Sequence, residues 1–319
     1  MLDKKHKLIK LTLDVLAPVL GAVVREPPIF IAGMPRSGTT WIVYTLTTAA
    51  GIKYFHEPFN PYIFPEAEKY SSKYLQVDDE DKEFAAYCRK VLNPYWSDRM
   101  MIKDVHYLID KKVPWWPGRL MIKDVHSLMA LEWIDRHITP VIVIALRHPC
   151  GLASSWFQAS WKPEKSIKKL LNQPKLIEDY LQPFESLLRE AQKDFFTSIG
   201  ALWGACYYVL LEQKRKNHPN WIVVKHEDLC QEPVEQYRQL FKQLNLHWNR
   251  VTDYILDAST TGDSGKYYIP KRISSQEPDK WKKILEPEQI KLIRDFAQPF
   301  GIPYYQEYFC SLHLGNSKI

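Results

Sequence analysis

The stretch IFIAGMPRSGTTW, Ile29 to Trp41, constrains the fold of this chain more than any other. Ile29 to Ala32 is an apolar run that reads as a buried strand. Gly33 to Gly38 forms a glycine-bounded turn, and Thr39, Thr40 and Trp41 open an apolar helical segment reaching about Ala50. Strand, tight turn and helix start are the parts of an anion cradle. The first backbone N–H groups of a helix have no partners within it, and the helix dipole adds positive potential there. Gly33 and Gly38 let the backbone close on an anion with no Cβ in the way. An ordinary strand–turn–helix corner has little use for an Arg-Ser-Gly-Thr-Thr cluster.

The loop keeps the glycine spacing of a G-x-x-x-x-G-K-[ST] nucleoside-triphosphatase loop, but Thr39 stands where that loop has lysine. The cation lies inside the turn, as Arg36. Without the lysine, the usual clamp on β- and γ-phosphates is missing, which argues against ATP or GTP hydrolysis.

PRSGTTW, Pro35 to Trp41, resembles the 5′-phosphate loop of sulfotransferases that use 3′-phosphoadenosine 5′-phosphosulfate (PAPS). Many soluble members carry lysine in this loop. The arginine resembles tyrosylprotein sulfotransferases and bacterial sulfotransferase-like enzymes. The resemblance implies that Arg36, Ser37, Gly38, Thr39 and Thr40 hold the 5′-phosphate, with Trp41 against the adenine; core packing accounts for Trp41 equally well. In LRHPCGLASSW, Arg147 ends an apolar run and Ser155 follows eight residues later, which resembles the family's 3′-phosphate pair.

The catalytic base implied is Glu57 in FHEPFNP, 21 residues after Arg36; His56 is the local rival, because many soluble members use a histidine of near-neutral pKa. Lys123, 24 residues before Arg147, is implied as the stabiliser of the leaving-group oxygen. It lies in a repeat: RMMIKDVHYL at Arg99 to Leu108 recurs as RLMIKDVHSL at Arg119 to Leu128, so Lys103 competes with it. Lys123 is preferred because its copy runs directly into a helix and the VIVIALRHP strand. His106 and His126 read as structural. Near the C-terminus, Lys271 and Arg272 match a basic loop that related enzymes close over the 3′-phosphate; a solvated charge run fits them as well. The resemblance spans Ile29 to Tyr305.

The 319 residues suit a single sulfotransferase-like domain, with residues 1–24 as a peripheral N-terminal helix and 25–319 as the catalytic core. In the N-terminal segment Lys10 and Asp14 interrupt the apolar stretch, so a helix packed on the domain or touching a membrane surface is favoured over a signal peptide. The net charge of +6 suits an anionic ligand, but no dense basic tract suggests nucleic acid. Five scattered cysteines with no C-x-x-C pair argue against a disulfide framework or zinc site and for a reducing, cytoplasmic setting.

Strands are expected at Pro140–Pro149 and Trp221–Leu229, and helices at Asp78–Arg89, Ala191–Gln213, Val234–Leu244 and Pro287–Phe300. GIKYFHEPFNPYIFPEAEKY, with Pro58, Pro61 and Pro65, reads as an ordered loop, and Gly262–Gln276 as a mobile one. Alternating strands and helices indicate an α/β, P-loop-type three-layer fold with a mostly parallel central sheet flanked by helices.

The function implied is in-line sulfuryl transfer from PAPS to a hydroxyl or amine, with adenosine 3′,5′-bisphosphate as product and no metal requirement. The acceptor is unidentified: a carbohydrate, lipid headgroup, peptide tyrosine or small phenol all fit. Two alternatives stand beside it, a nucleotide kinase-like phosphotransferase with a divergent loop, and a nucleotide-binding protein without turnover.

Overall fold

A computed structural model describes residues 26–92, 119–261 and 274–310. The N-terminal segment, the first repeat copy with Lys103, and Lys271 and Arg272 lie outside the described residues.

The sheet has five strands, all parallel: β1 (Ile29–Ala32), β2 (Ile52–His56), β3 (Arg119–Asp124), β4 (Val141–Leu146) and β5 (Ile222–Lys225), in the order β2-β3-β1-β4-β5. β1 is central and fully buried, which is why its sequence is apolar without alternation. Its register puts Ile31 beside both Lys123 and Val143, and β2 places His56 beside Lys123. The five carboxyl ends therefore lie along one edge, where α/β sheets place ligand groups.

Successive strand residues serve opposite faces. Phe30, Phe55, Ile122 and Ile144 join one core with α2 (Lys82–Val91), α3 (Leu131–Ile138), α4 (Pro149–Gln158), α5 (Pro163–Leu171), α6 (Glu185–Ala191) and α7 (Phe195–Lys216). Ile31, Tyr54, Met121 and Val143 join the other with α1 (Thr39–Leu46), α8 (His226–Gln231), α9 (Pro233–Gln243) and α10 (Arg250–Thr260). A final long helix, α11 (Pro287–Ala297), packs against α7 on the first face. Helix, sheet and helix make the three layers expected.

α7 is long and apolar enough to cross a membrane, but 78% of that window is buried inside the fold. Its apolar character comes from its central place in the core. Asp194 caps it, accepting from the N–H groups of Phe196 and Thr197.

Among the described residues, the structure differs from the sequence reading at two elements beside the site, and the helix expected at Ala191–Gln213 starts only at Phe195. Residues 52–56, read as part of a loop, form β2. Its five residues are only partly alternating and precede a proline, so the strand shows itself only by pairing with β3. The polar turn expected after β5 is helix α8, with Lys225 as its N-cap.

Candidate active site

The loop between β1 and α1 is built around two left-handed residues, Arg36 (φ 78°) and Gly38 (φ 91°). A non-glycine residue in this region costs about 1–3 kcal/mol and must be held by its surroundings. The neighbours holding Arg36 are visible. Arg147 donates from its guanidinium to the Arg36 carbonyl at 2.9 Å, and Trp156 Nε1 donates to the Pro35 carbonyl at 2.9 Å. Tyr207 links the Met34 N–H (3.3 Å) to the Ala145 carbonyl (2.9 Å). The Arg36 Nε donates to Ser155 Oγ at 2.9 Å.

Gly38 is the N-cap of α1, with no side-chain capping bond and no acidic residue in the first turn. The first intrahelical bonds run from Trp41 and Ile42 N–H to the Gly38 carbonyl. The N–H groups of Gly38, Thr39 and Thr40 thus precede the helical bonding, at the positive end of the dipole. A Cβ on Gly38 would lie 2.6 Å from His226 Nδ1, and one on Gly33 would lie 2.6 Å from the Ala145 carbonyl. Both glycines permit approaches that no other residue allows.

His226 follows β5 and is buried, which together with the Arg147 charge lowers its pKa well below the usual histidine value. Its Nδ1 has no hydrogen-bond partner among the described residues. Its sequence signal was its position at a strand's carboxyl end. Trp41 is buried too: its indole N–H donates to Ser259 at 3.0 Å, and its ring meets Tyr237 edge-on at 5.4 Å. The structure places it in the core.

A second cluster forms where β2 and β3 end. Glu57 has φ 45° and its N–H donates to the Lys123 carbonyl at 2.7 Å. Its side chain is buried, with Oε1 in an ion pair with the Lys123 ammonium and Oε2 accepting from Asn60 Nδ2 at 2.6 Å. The Nε2 atoms of His56 and His126 stand 3.8 and 3.9 Å from the same Oε2. Burial by itself pushes the Glu57 carboxyl up, but Lys123, His56 and the Lys123 and Asn60 hydrogen bonds outweigh it and hold the pKa at about 2. Burial, then the Lys123 charge, brings His56 down to about 4, and Tyr54 meets its Nδ1 at 2.8 Å. At neutral pH the cluster therefore holds a Glu57 carboxylate and a neutral His56.

Thus the structure brings Arg36, Ser37, Gly38, Thr39, Thr40, Arg147 and Ser155 together around one loop, and His56, Glu57 and Lys123 at the adjacent strand ends. β3 lies between β1 and β2, so Lys123 stands on the strand next to β1 and Glu57 follows the strand beyond it. The repeat copy in β3 is the one carrying Lys123. The sequence reading missed Asn60, and it set His126 aside as structural although its ring faces Glu57. Among the described residues, no group of three His, Cys, Asp or Glu side chains is placed to hold a metal ion.

Residues 27–250 match the sulfotransferase family, and the chain belongs to it. Sulfuryl transfer is the chemistry of that family. No curated protein sequence matches the chain significantly. Similar solved structures include the mouse sulfotransferase SULT7A1 complexed with PAP (14% identity, 90% of each chain, TM-score 0.47). The sulfotransferase domain from the curacin biosynthetic pathway is 17% identical, over 85% of this chain and 98% of that one, with a TM-score of 0.48. Sulfotransferase STF1 from Mycobacterium tuberculosis is 12% identical, over 92% of this chain and 82% of that one, with a TM-score of 0.42.

Proposed function

We propose that this protein transfers the sulfuryl group of PAPS to a hydroxyl or amine of its acceptor. The observation that carries the reading is the pairing of an uncapped helix start, framed by Arg36, with a buried Glu57–Lys123 pair on the same sheet edge. The first is an anion seat, and the second supplies a base and a cation.

In this reading the 5′-phosphate of the donor sits at Gly38, Thr39 and Thr40, and Arg36 meets its oxygens. Arg147 and Ser155, which bond to the loop itself here, are the candidates for the 3′-phosphate. The Glu57 carboxylate takes the acceptor's proton as its oxygen attacks sulfur. The S–O bond to the 5′-phosphate breaks in line, and its electron pair leaves on that phosphate. Lys123 meets the charge that builds on the bridging oxygen. A lysine shared with the donor no longer holds Glu57 as tightly, so the carboxylate becomes a stronger base when the donor is present.

The loop lacks the lysine of a triphosphatase clamp, which favours this reading over phosphotransfer. The test is radiolabelled PAPS offered with saccharide, lipid, peptide and phenol acceptors. Label should reach one acceptor class with the wild type and not with Glu57→Gln, while both proteins bind adenosine 3′,5′-bisphosphate. A Glu57→Gln enzyme with full turnover would falsify the base assignment.

A further inference from the structure

Asp124 ends β3, directly after Lys123, and has no exposed surface. Its carboxylate accepts four hydrogen bonds. Oδ2 takes the Phe59 N–H at 2.9 Å. Oδ1 takes the N–H groups of His126 (2.7 Å) and Ser127 (2.8 Å) and the Ser127 hydroxyl (2.9 Å). All four partners are donors. A carboxyl group meets all of them with acceptor lone pairs; an amide would turn its own N–H₂ against an N–H. Burial dominates and raises the Asp124 pKa above the usual carboxylate value, with the Phe59 hydrogen bond among the opposing influences. Burying a carboxylate is costly, and a plain strand end does not require one.

The partners explain the cost. Phe59 lies two residues beyond Glu57, in the turn closed by the Asn60 N–H on the Glu57 carbonyl at 3.0 Å. That turn holds Glu57 in its left-handed conformation. His126 presents Nε2 to Glu57 Oε2 at 3.9 Å. One carboxylate thus ties the base's turn to the strand carrying Lys123 and to the turn carrying His126.

We propose that Asp124 is the positioning residue of this site, setting Glu57, Lys123 and His126 relative to one another through its two oxygens. This rests on the sulfuryl-transfer reading above. Asp124 touches no reacting atom; it acts through Glu57, so its loss should appear in the chemical step and not in donor binding. A displacement of about 1 Å at a reacting group costs on the order of 10²-fold in rate.

The experiment is a double-mutant cycle of Asp124→Asn and Glu57→Gln, reading kcat with PAPS and the Kd for adenosine 3′,5′-bisphosphate. The expected result is a kcat about 10²-fold lower in Asp124→Asn, a Kd within about twofold of wild type, and little further loss of the residual rate when Asp124→Asn is added to Glu57→Gln. Ser127→Ala removes one of the four bonds and covers the case in which Asp124→Asn does not fold; it should lower kcat several-fold with Kd unchanged. Losses that multiply in the double mutant, a Kd that rises with the fall in kcat, or an unchanged kcat in the folded variants would overturn the proposal. A wild type that binds the bisphosphate and transfers nothing would overturn the underlying reading instead, which the same data distinguish.

Discussion

Lys123 and Glu57 form a buried ion pair between the ends of adjacent strands, each side chain nearly closed off from solvent. The pair holds the carboxylate ionised at any physiological pH and also restrains its basicity. In the proposed reaction, donor binding and base strength are therefore coupled through the Lys123 side chain.

Replacing Lys123 by methionine leaves Glu57 as a buried charge without its cation, which is expected to cost about 3–5 kcal/mol. The pH dependence has a definite sign. The folded pKa of Glu57, about 2, lies below its ordinary value of 4.5, so the pair's stabilisation is complete above pH 4.5 and fades as pH falls toward 2. That interval is worth about 3 kcal/mol. Urea unfolding across this range should show the acid slope in the wild type and a reduced one in Lys123→Met.

His56 gives a separate window. Its folded pKa of about 4 lies below 6.5, so its contribution is present above pH 6.5 and lost as pH falls toward 4. His56→Gln should flatten unfolding stability between those values. It should also keep turnover within a few-fold of wild type; a loss matching that of Glu57→Gln would move the base to His56.

The Arg36–Ser155 bond predicts a selective effect on the donor. Ser155→Ala removes one side-chain hydrogen bond from a strained loop residue, worth about 0.5–1.5 kcal/mol. Titration calorimetry should show adenosine 3′,5′-bisphosphate binding weakened about three- to tenfold by that loss, with the unfolding midpoint nearly unchanged.

Gly38→Ala faces two penalties, a left-handed φ and a contact with His226 Nδ1. The expected loss is about 2 kcal/mol of stability together with donor binding. Adding His226→Ala relieves the contact but not the dihedral, so thermal unfolding should recover only in part.

Much of this architecture is readable from local sequence. Ile29 to Trp41 shows strand, turn and helix because an apolar run, two glycines and a helix start follow one another directly. The β4 strand and the Arg147–Ser155 spacing are legible for the same reason. What was not legible depends on register between distant segments. Residues 52–56 become a strand only through β3, and Asp124 gains its role only when Phe59, 65 positions away, meets its Oδ2. Trp41 sits at a helix start in either reading, and only the tertiary contacts with Ser259 and Tyr237 place it in the core.

The most direct measurement is calorimetric titration with adenosine 3′,5′-bisphosphate, against 5′-AMP and magnesium-ATP, in the wild type and Arg147→Ala. The account predicts tight binding that needs the 3′-phosphate and weakens at least tenfold, about 1.4 kcal/mol, in Arg147→Ala. Binding of magnesium-ATP with none of the bisphosphate would contradict it and point to phosphotransfer.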